Sequence, residues 1–398
     1  MPVSKSEYPQ NSKYRIGPSA SVRRFPVEGG LLLLDSSANR LFAYNDTARH
    51  VWDLLEAGRT GEDLASEFAQ AWGISLSRAH SDIDAILAQW RMQDLLASRE
   101  TQIRVSIPEI YAEADGDHTS PPAQWAAEWT CTIRRTTIAF AVENKLHAPI
   151  REMLAHLETP GARPQAWIEI RQVTTDETAL FNNGIERIRT RDDGVLVGGL
   201  WQAILELIHP NVEWIAHIHG AAVARDGVAL ALCGPSGSGK STLTAGLTGT
   251  GFDYLADDLV AVAAPGGTIV PWPVPLSLKP GSIDILTSHR PDLAHAPRYR
   301  TKGVEARLLV PPHTAWEEAA VRLGCLIFPR FTEGGTAELQ RISTFQAIER
   351  LLTDRIWIGH PITAERVATF LAWLSGTPAY AATYGTLDDG MRLIEDVA

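Results

Sequence analysis

Cysteine is scarce: Cys131, Cys233 and Cys325 are the only three in 398 residues, and they stand far apart with no CxxC pair. Neither a disulfide framework nor a zinc site is expected, and a reducing cytoplasm is the expected compartment. Long apolar runs are missing as well. No stretch approaches the roughly 18 residues of a membrane-spanning helix. Met1 to Arg15 is polar and lacks the apolar core of a signal peptide, so no membrane partner is expected. Basic blocks are absent and the net charge is −11, which argues against a nucleic-acid surface. No repeats or low-complexity tracts occur. What is present is an ordinary globular balance. With 45% hydrophobic and 21% charged residues the chain can build packed cores, and its length suggests two or three domains.

The most informative stretch is Val228–Val262. Val228 to Cys233 is a continuous apolar run, the pattern of a strand buried on both faces. Gly234-Pro-Ser-Gly-Ser-Gly-Lys-Ser241 follows and fits the P-loop pattern, with a strand before it and a helix after. Gly234, Gly237 and Gly239 let the backbone bend until its N–H groups converge on a polyphosphate at the positive end of that helix. Lys240 would reach the β- and γ-phosphates, and the Ser241 hydroxyl would ligate Mg²⁺. Pro235, Ser236, Ser238 and Thr242 complete the expected nucleotide-binding segment, with ATP and Mg²⁺ as cofactors. A helix over Ser241–Thr250 rises about 15 Å, and Phe252–Ala256 runs back about 16 Å as a strand. That return brings Asp257 and Asp258 beside the phosphates, where a carboxylate can hold Mg²⁺ or take a proton from an attacking hydroxyl. They lie 17 and 18 residues after Lys240, a spacing that suits a small phosphotransferase better than a motor or transport ATPase. A surface Asp-Asp turn is the competing reading, and the Leu-Val-Ala-Val run beginning at Leu259 argues against it.

His219-Gly220 stands 21 residues before Lys240. His219-Gly220, then a strand, Gly-x-Ser-Gly-x-Gly-Lys-Ser, then Leu255-Ala-Asp-Asp258 at this spacing resembles the core of HPr kinase/phosphorylase, over residues 219–260. That family phosphorylates a serine on a carrier protein, and its kinase domain is related to phosphoenolpyruvate carboxykinase. The resemblance implies that Gly234–Ser241 binds nucleotide phosphate, that Ser241 and Asp257 hold Mg²⁺, that Asp258 accepts the proton, and that His219 and Lys240 assist. Spacing alone does not order the two aspartates between base and metal ligand. Taken alone, His219 reads as a satisfied strand-end histidine; only the spacing makes it a site residue.

The N-terminal part reads differently. After a polar tail (1–16), three short strands are expected at Val22–Pro26, Leu31–Leu34 and Arg40–Ala43, with turns at Gly29-Gly30 and Ser36–Asn39. Asn45 or Asp46 caps a helix with Ala48, Val51, Leu54 and Leu55 on one face. Thr60-Gly-Glu-Asp63 opens a second helix with a carboxylate in the capping-box position, burying Leu64, Phe68 and Trp72. A third helix is expected over Ser77–Leu96. The run from Leu31 through Asn45-Asp-Thr-Ala-Arg-His-Val-Trp-Asp-Leu-Leu-Glu-Ala-Gly-Arg-Thr60 resembles the PqqD family of small peptide chaperones, over about residues 18–97. Members of that family add a leader peptide as a strand to the sheet edge against a helix. The physical reading agrees, because an edge strand offers unpaired N–H and C=O groups. The competing reading is a structural or dimerisation module.

Residues 101–128 read as an acidic, proline-containing linker. Strands and a helix over Thr130–Ile208 are expected to flank the sheet that carries His219. Ile269–Lys279 is extended and proline-rich, which argues against a central strand. Lys279, Arg300 and Lys302 are the candidate cations for the moving phosphoryl group or its acceptor. No match to the later arginine-containing signature of HPr kinase is found, which leaves the acceptor and any phosphorolysis open. The fold class is α/β: a P-loop kinase domain over 129–398 preceded by a winged-helix-like module over 17–100. The leading expectation is an ATP- and Mg²⁺-dependent kinase acting on a hydroxyl, most simply a serine, of a precursor peptide held by its leader. A kinase of a small molecule or carrier protein, and an ATP-sensing peptide chaperone without catalysis, are the alternatives. Hexamers occur in the resembling kinase family, so a homo-oligomer is among the expectations.

Overall fold

The computed structural model describes residues 17–97, 128–301, 304–311, 315, 319–359 and 361–398. The expected tail and nearly all of the expected linker lie outside the described residues. Two compact units result: 17–97 with 361–364, and the remaining described residues.

In the first unit, β1 (Val22–Val27), β2 (Gly30–Asp35) and β3 (Arg40–Asn45) form an antiparallel sheet in chain order. Helices α1 (Asp46–Glu56), α2 (Gly61–Trp72) and α3 (Leu76–Met92) follow. Asn45 caps α1, its side chain accepting the Ala48 N–H at 3.1 Å. Val51, Trp52 and Leu55 then meet Leu31, Leu33, Phe68 and Trp90 in one buried cluster. Three details depart from expectation. Thr60 precedes α2 but makes no side-chain cap bond, so no capping box forms. Trp72 is 43% exposed; it is the last residue of α2, where Gly73 at φ 63 turns the chain, and its indole donates to His50 Nδ1 at 3.0 Å. Helix α3 stops at Met92 because the chain turns back, Asp94 adopting φ 59 and Leu95 N–H donating to Trp90 O.

The region expected to flank the main sheet of the second unit makes a sheet of its own. Strands β4 (Trp129–Ile133), β5 (Thr136–Val142), β6 (Ala166–Gln172), β7 (Thr178–Asn182) and β8 (Ile185–Thr190) pair in chain order. Helix α4 (His147–Leu154) joins the parallel pair β5 and β6, and α5 (Asp193–Ile208) packs on β7 and β8. The reason is local: a complete β-α-β crossover and three hairpins satisfy these strands among themselves.

The main sheet has ten strands. In chain order they begin with β9 (Trp214–Ile218), β10 (Gly220–Arg225) and β11 (Val228–Cys233). Helix α6 (Lys240–Gly249) leads to β12 (Asp253–Ala256), β13 (Val260–Ala263) and β14 (Thr268–Val270). A side sheet of β15 (Leu276–Leu278), β16 (Arg298–Thr301) and β17 (Val304–Leu309), with α7 (Pro280–Leu286), interrupts the series. The last elements are β18 (Val321–Phe331), β19 (Glu338–Arg341), α8 (Thr344–Thr353), β20 (Ile356–Trp357), α9 (Ala364–Ser375), β21 (Ala379–Tyr384) and α10 (Leu387–Glu395). The order is β12-β10-β11-β18-β14-β13-β9-β20, with β21 beside β18 and β19 beside β21. The proline-rich stretch is therefore misread in part. Its first residues, Ile269 and Val270, lie in β14 between β18 and β13, and pairing ends where Pro271 removes the next N–H. Strand β21 has β18 on one side and β19 on the other. Leu230, Leu232, Leu243, Leu247, Ile327 and Met391 share one core that seats α6 against β11, β18 and α10.

One irregularity positions the site. The stretches 214–225 and 253–263 pair antiparallel twice, Ile218 with Val260 on one side and Ala222 with Ala256 on the other. Between these pairs, residues 219–221 and 257–259 face each other outside the ladder. Beyond the gap the partners differ, β10 adding β11 and β9 adding β20. A break where strands part company is where α/β sheets commonly bind ligands.

Candidate functional site

The loop from Gly234 to Gly239 joins the end of β11 to the start of α6. Gly234, Gly237 and Gly239 adopt φ of 144, 89 and 100, outside the range of ordinary side chains. Gly239 also has no room for one: a Cβ there would lie 2.2 Å from Tyr384 Oη. Pro235, Ser236 and Gly237 are exposed, and the Ser238 carbonyl accepts the Tyr384 hydroxyl at 3.3 Å. The Ser238 hydroxyl is buried with no hydrogen-bond partner. Lys240 is buried, and its Nζ donates to Gly234 O and, at 3.1 Å, to Pro235 O. Burial pushes its pKa down, opposed first by Asp354 and then by Asp257. The Thr242 hydroxyl lies 2.8 Å from that of Ser282 on α7.

The structure brings Ser241 and Asp257 together. Ser241 Oγ donates to the Asp257 carboxylate, 3.3 Å from each oxygen. Burial first, and the charge of Asp258 second, hold the Asp257 carboxyl well above the usual carboxylate range. A hydroxyl beside a carboxylate is the all-oxygen donor set that Mg²⁺ takes, and a cation would offset the burial that now raises this carboxyl. These residues fit the metal. Asp258 is exposed and adopts φ 62, so it leaves the strand direction at the gap facing 219–221.

His219 stands on the opposite side of that gap. Its Nδ1 lies 2.9 Å from Asp354 Oδ1, 135 residues away in sequence. Asp354 follows α8, and its other carboxylate oxygen is buried without a hydrogen-bond partner. Sequence reading missed Asp354, whose only signal was an acid just after an amphipathic helix. His217, two residues earlier, is a core residue. Its ring stacks on Trp357 at 4.8 Å, both nitrogens are buried without a hydrogen-bond partner, and burial alone lowers its pKa to about 3.

Of the three expected cations, the structure describes the side chain of Lys279 alone. Lys279 is exposed before α7, and its carbonyl accepts the N–H of Ser282, whose hydroxyl meets that of Thr242. Arg300 lies in β16 of the side sheet, with its side chain outside the description, and Lys302 lies outside the described residues. Arg330, exposed near the end of β18, is nearer by chain: Pro329 O lies 4.0 Å from a Cβ built on Gly234.

The first unit has a site of a different kind. Among the described residues β3 pairs with β2 on one side only, which leaves an edge beside the start of α1. Residues 30–96 match PqqD, Coenzyme PQQ synthesis protein D. The PqqD match runs from the first residue of β2 to Leu96, which bridges Pro18; β1, outside it, completes the sheet. No curated protein matches the chain. Among the described residues no helix is long and apolar enough to cross a membrane.

Proposed function

We propose that the protein is an ATP- and Mg²⁺-dependent kinase that transfers the γ-phosphate to a hydroxyl, most simply a serine, of a ribosomally made precursor peptide. The PqqD match supports a role in peptide modification and a peptide partner for the module, in our reading a leader peptide added as a strand to the edge of β3. The observation that carries the catalytic half is the gap in the ribbon. It sets His219 across from Asp257 and Asp258, while Ser241 of the glycine-rich loop reaches Asp257.

The roles follow from the chemistry of each group. Loop amides and the N-terminus of α6 hold the phosphates, and Lys240 swings from the loop carbonyls to them. Ser241 and Asp257 hold Mg²⁺, which neutralises charge on the β- and γ-phosphates when bound. A proton acceptor at the gap deprotonates the hydroxyl; the likeness to HPr kinase points to Asp258 for this. Positioning and electrostatics do most of the work in such transfers, so losing Lys240 abolishes turnover without unfolding the chain.

The test is intact-mass spectrometry of candidate precursor peptides incubated with the protein, ATP and Mg²⁺, beside Lys240→Ala. Gain of one phosphate with wild type only supports the reading. Phosphate on a metabolite instead points to a small-molecule kinase, and bound nucleotide with no phosphorylated product points to an ATP-sensing chaperone.

A further inference from the structure

Asp354 has three properties that the roles above leave unused. Its Oδ1 lies 2.9 Å from His219 Nδ1, its Oδ2 is buried without a hydrogen-bond partner, and its charge is the foremost electrostatic support of the buried Lys240. The backbone ties the same two segments. His219 N–H donates to Arg355 O at 2.8 Å, and Ile356 and Trp357 pair with Ile218 and His217. His219 is thus held by side chain and main chain at once, at the edge of the ribbon gap. An ionised carboxylate only accepts hydrogen bonds, so Nδ1 carries the hydrogen and Nε2 offers a lone pair.

We propose that Asp354 is a positioning residue that keeps His219 in the Nδ1–H tautomer, so that His219 Nε2, rather than Asp258, receives the proton of the acceptor hydroxyl. The proposal rests on the kinase reading. The hydroxyl oxygen bonds to the γ-phosphorus as the bond from that phosphorus to the β,γ-bridging oxygen breaks. The electron pair leaves with the nucleoside diphosphate, and the hydroxyl proton passes to Nε2 and then to solvent. Asp354 stabilises the imidazolium so formed, the same division of labour as in a Ser-His-Asp triad. The charged groups about the dyad are Asp354 after α8, Lys240 on α6, and Asp257 and Asp258 across the gap.

Full-length protein labelled with ¹⁵N-histidine gives the tautomer of His219, its signal assigned by loss in His219→Gln. The expected wild-type state is Nδ1–H. In Asp354→Asn the amide donates to Nδ1 and the tautomer inverts. The same variant loses roughly 100-fold or more in kcat for Mg·ATP hydrolysis, with water as the acceptor, and keeps its Mg·ADP affinity. Asp354→Glu restores the Nδ1–H tautomer and part of the rate. A wild-type His219 with its hydrogen on Nε2 overturns the assignment whatever the activity. An Asp354→Asn protein that keeps the wild-type rate overturns it too, with the kinase reading intact. A wild type that neither binds Mg·ADP nor hydrolyses ATP overturns the kinase reading, and the assignment falls with it.

Discussion

Replacing Gly239 by alanine puts a methyl group where the Tyr384 hydroxyl already is. Two costs add. The backbone at φ 100 is one an alanine adopts only under strain, worth about 1–3 kcal/mol. The new Cβ would also stand 2.2 Å from Tyr384 Oη, so the buried ring must shift and give up its hydrogen bond to Ser238 O, about 1 kcal/mol more. The sum is about 2–4 kcal/mol. Tyr384→Phe separates the two, because without the hydroxyl the nearest ring atom is Cζ at 3.4 Å, a tight but tolerable contact. In that background Gly239→Ala keeps the backbone cost and loses most of the steric one, so the two changes couple by about 1 kcal/mol. Urea unfolding of the four proteins measures stability, and fluorescence titration with a labelled ADP in Mg²⁺ measures the loop. Gly239→Ala should weaken nucleotide binding in both backgrounds, since the strain lies in the phosphate loop itself. An equal cost of Gly239→Ala with and without the hydroxyl would refute the packing argument, and a cost below about 0.5 kcal/mol would refute both parts.

Two further outcomes depend on pH. Asp257→Asn removes a carboxyl whose folded pKa is raised, so the native state holds its proton where the unfolded chain has released it; wild-type stability falls as pH rises above the unfolded value of 3.8, and the variant should melt higher near neutrality without Mg²⁺, the gain vanishing below about pH 4. Thermal melts across pH test this, and a variant no more stable than wild type at pH 7 would contradict the raised carboxyl. His217, with a folded value near 3 against 6.5 unfolded, acts oppositely: stability is lost as pH falls through that window, with a limiting slope of about 1.4 kcal/mol per pH unit. His217→Phe should flatten that acid limb whatever it does at pH 7, and an unchanged slope would show that another group carries it.

What could be read in advance was whatever is encoded over a few neighbouring residues. The apolar run of β11, the three glycines, Lys240, Ser241 and the turn residues around β1–β3 each have a local reason, and each stands where that reason puts it. The pairing of Ser241 with Asp257 was within reach because one helix and one short strand separate them. Asp354 was not, because the bond to His219 closes a loop of chain that no periodicity records. β14 was misjudged because prolines a residue beyond it dominated the local pattern, although Thr268 and Ile269 before them pair on both sides. Trp72 fell on the helical stripe of Phe68, and only the position of the chain end at Gly73 decided its exposure. Local chemistry was legible; closure between distant segments was not.

The gap in the ribbon also limits how the chain can vary. Ile218 to Ala222 and Ala256 to Val260 are fastened at both ends, and each encloses three residues, 219–221 and 257–259. Inserting one residue into either segment would leave the two unequal. The next strand would then have to bulge or slip by one, and a slip turns every side chain beyond it to the other face. Connections outside the gap, such as the stretch 160–164 that leads into β6, are not fastened at both ends in this way. A library of length variants should therefore tolerate additions at those connections and reject single additions within the two three-residue segments. Matched additions in both would rebuild the register and still separate His219 from the carboxylates it faces.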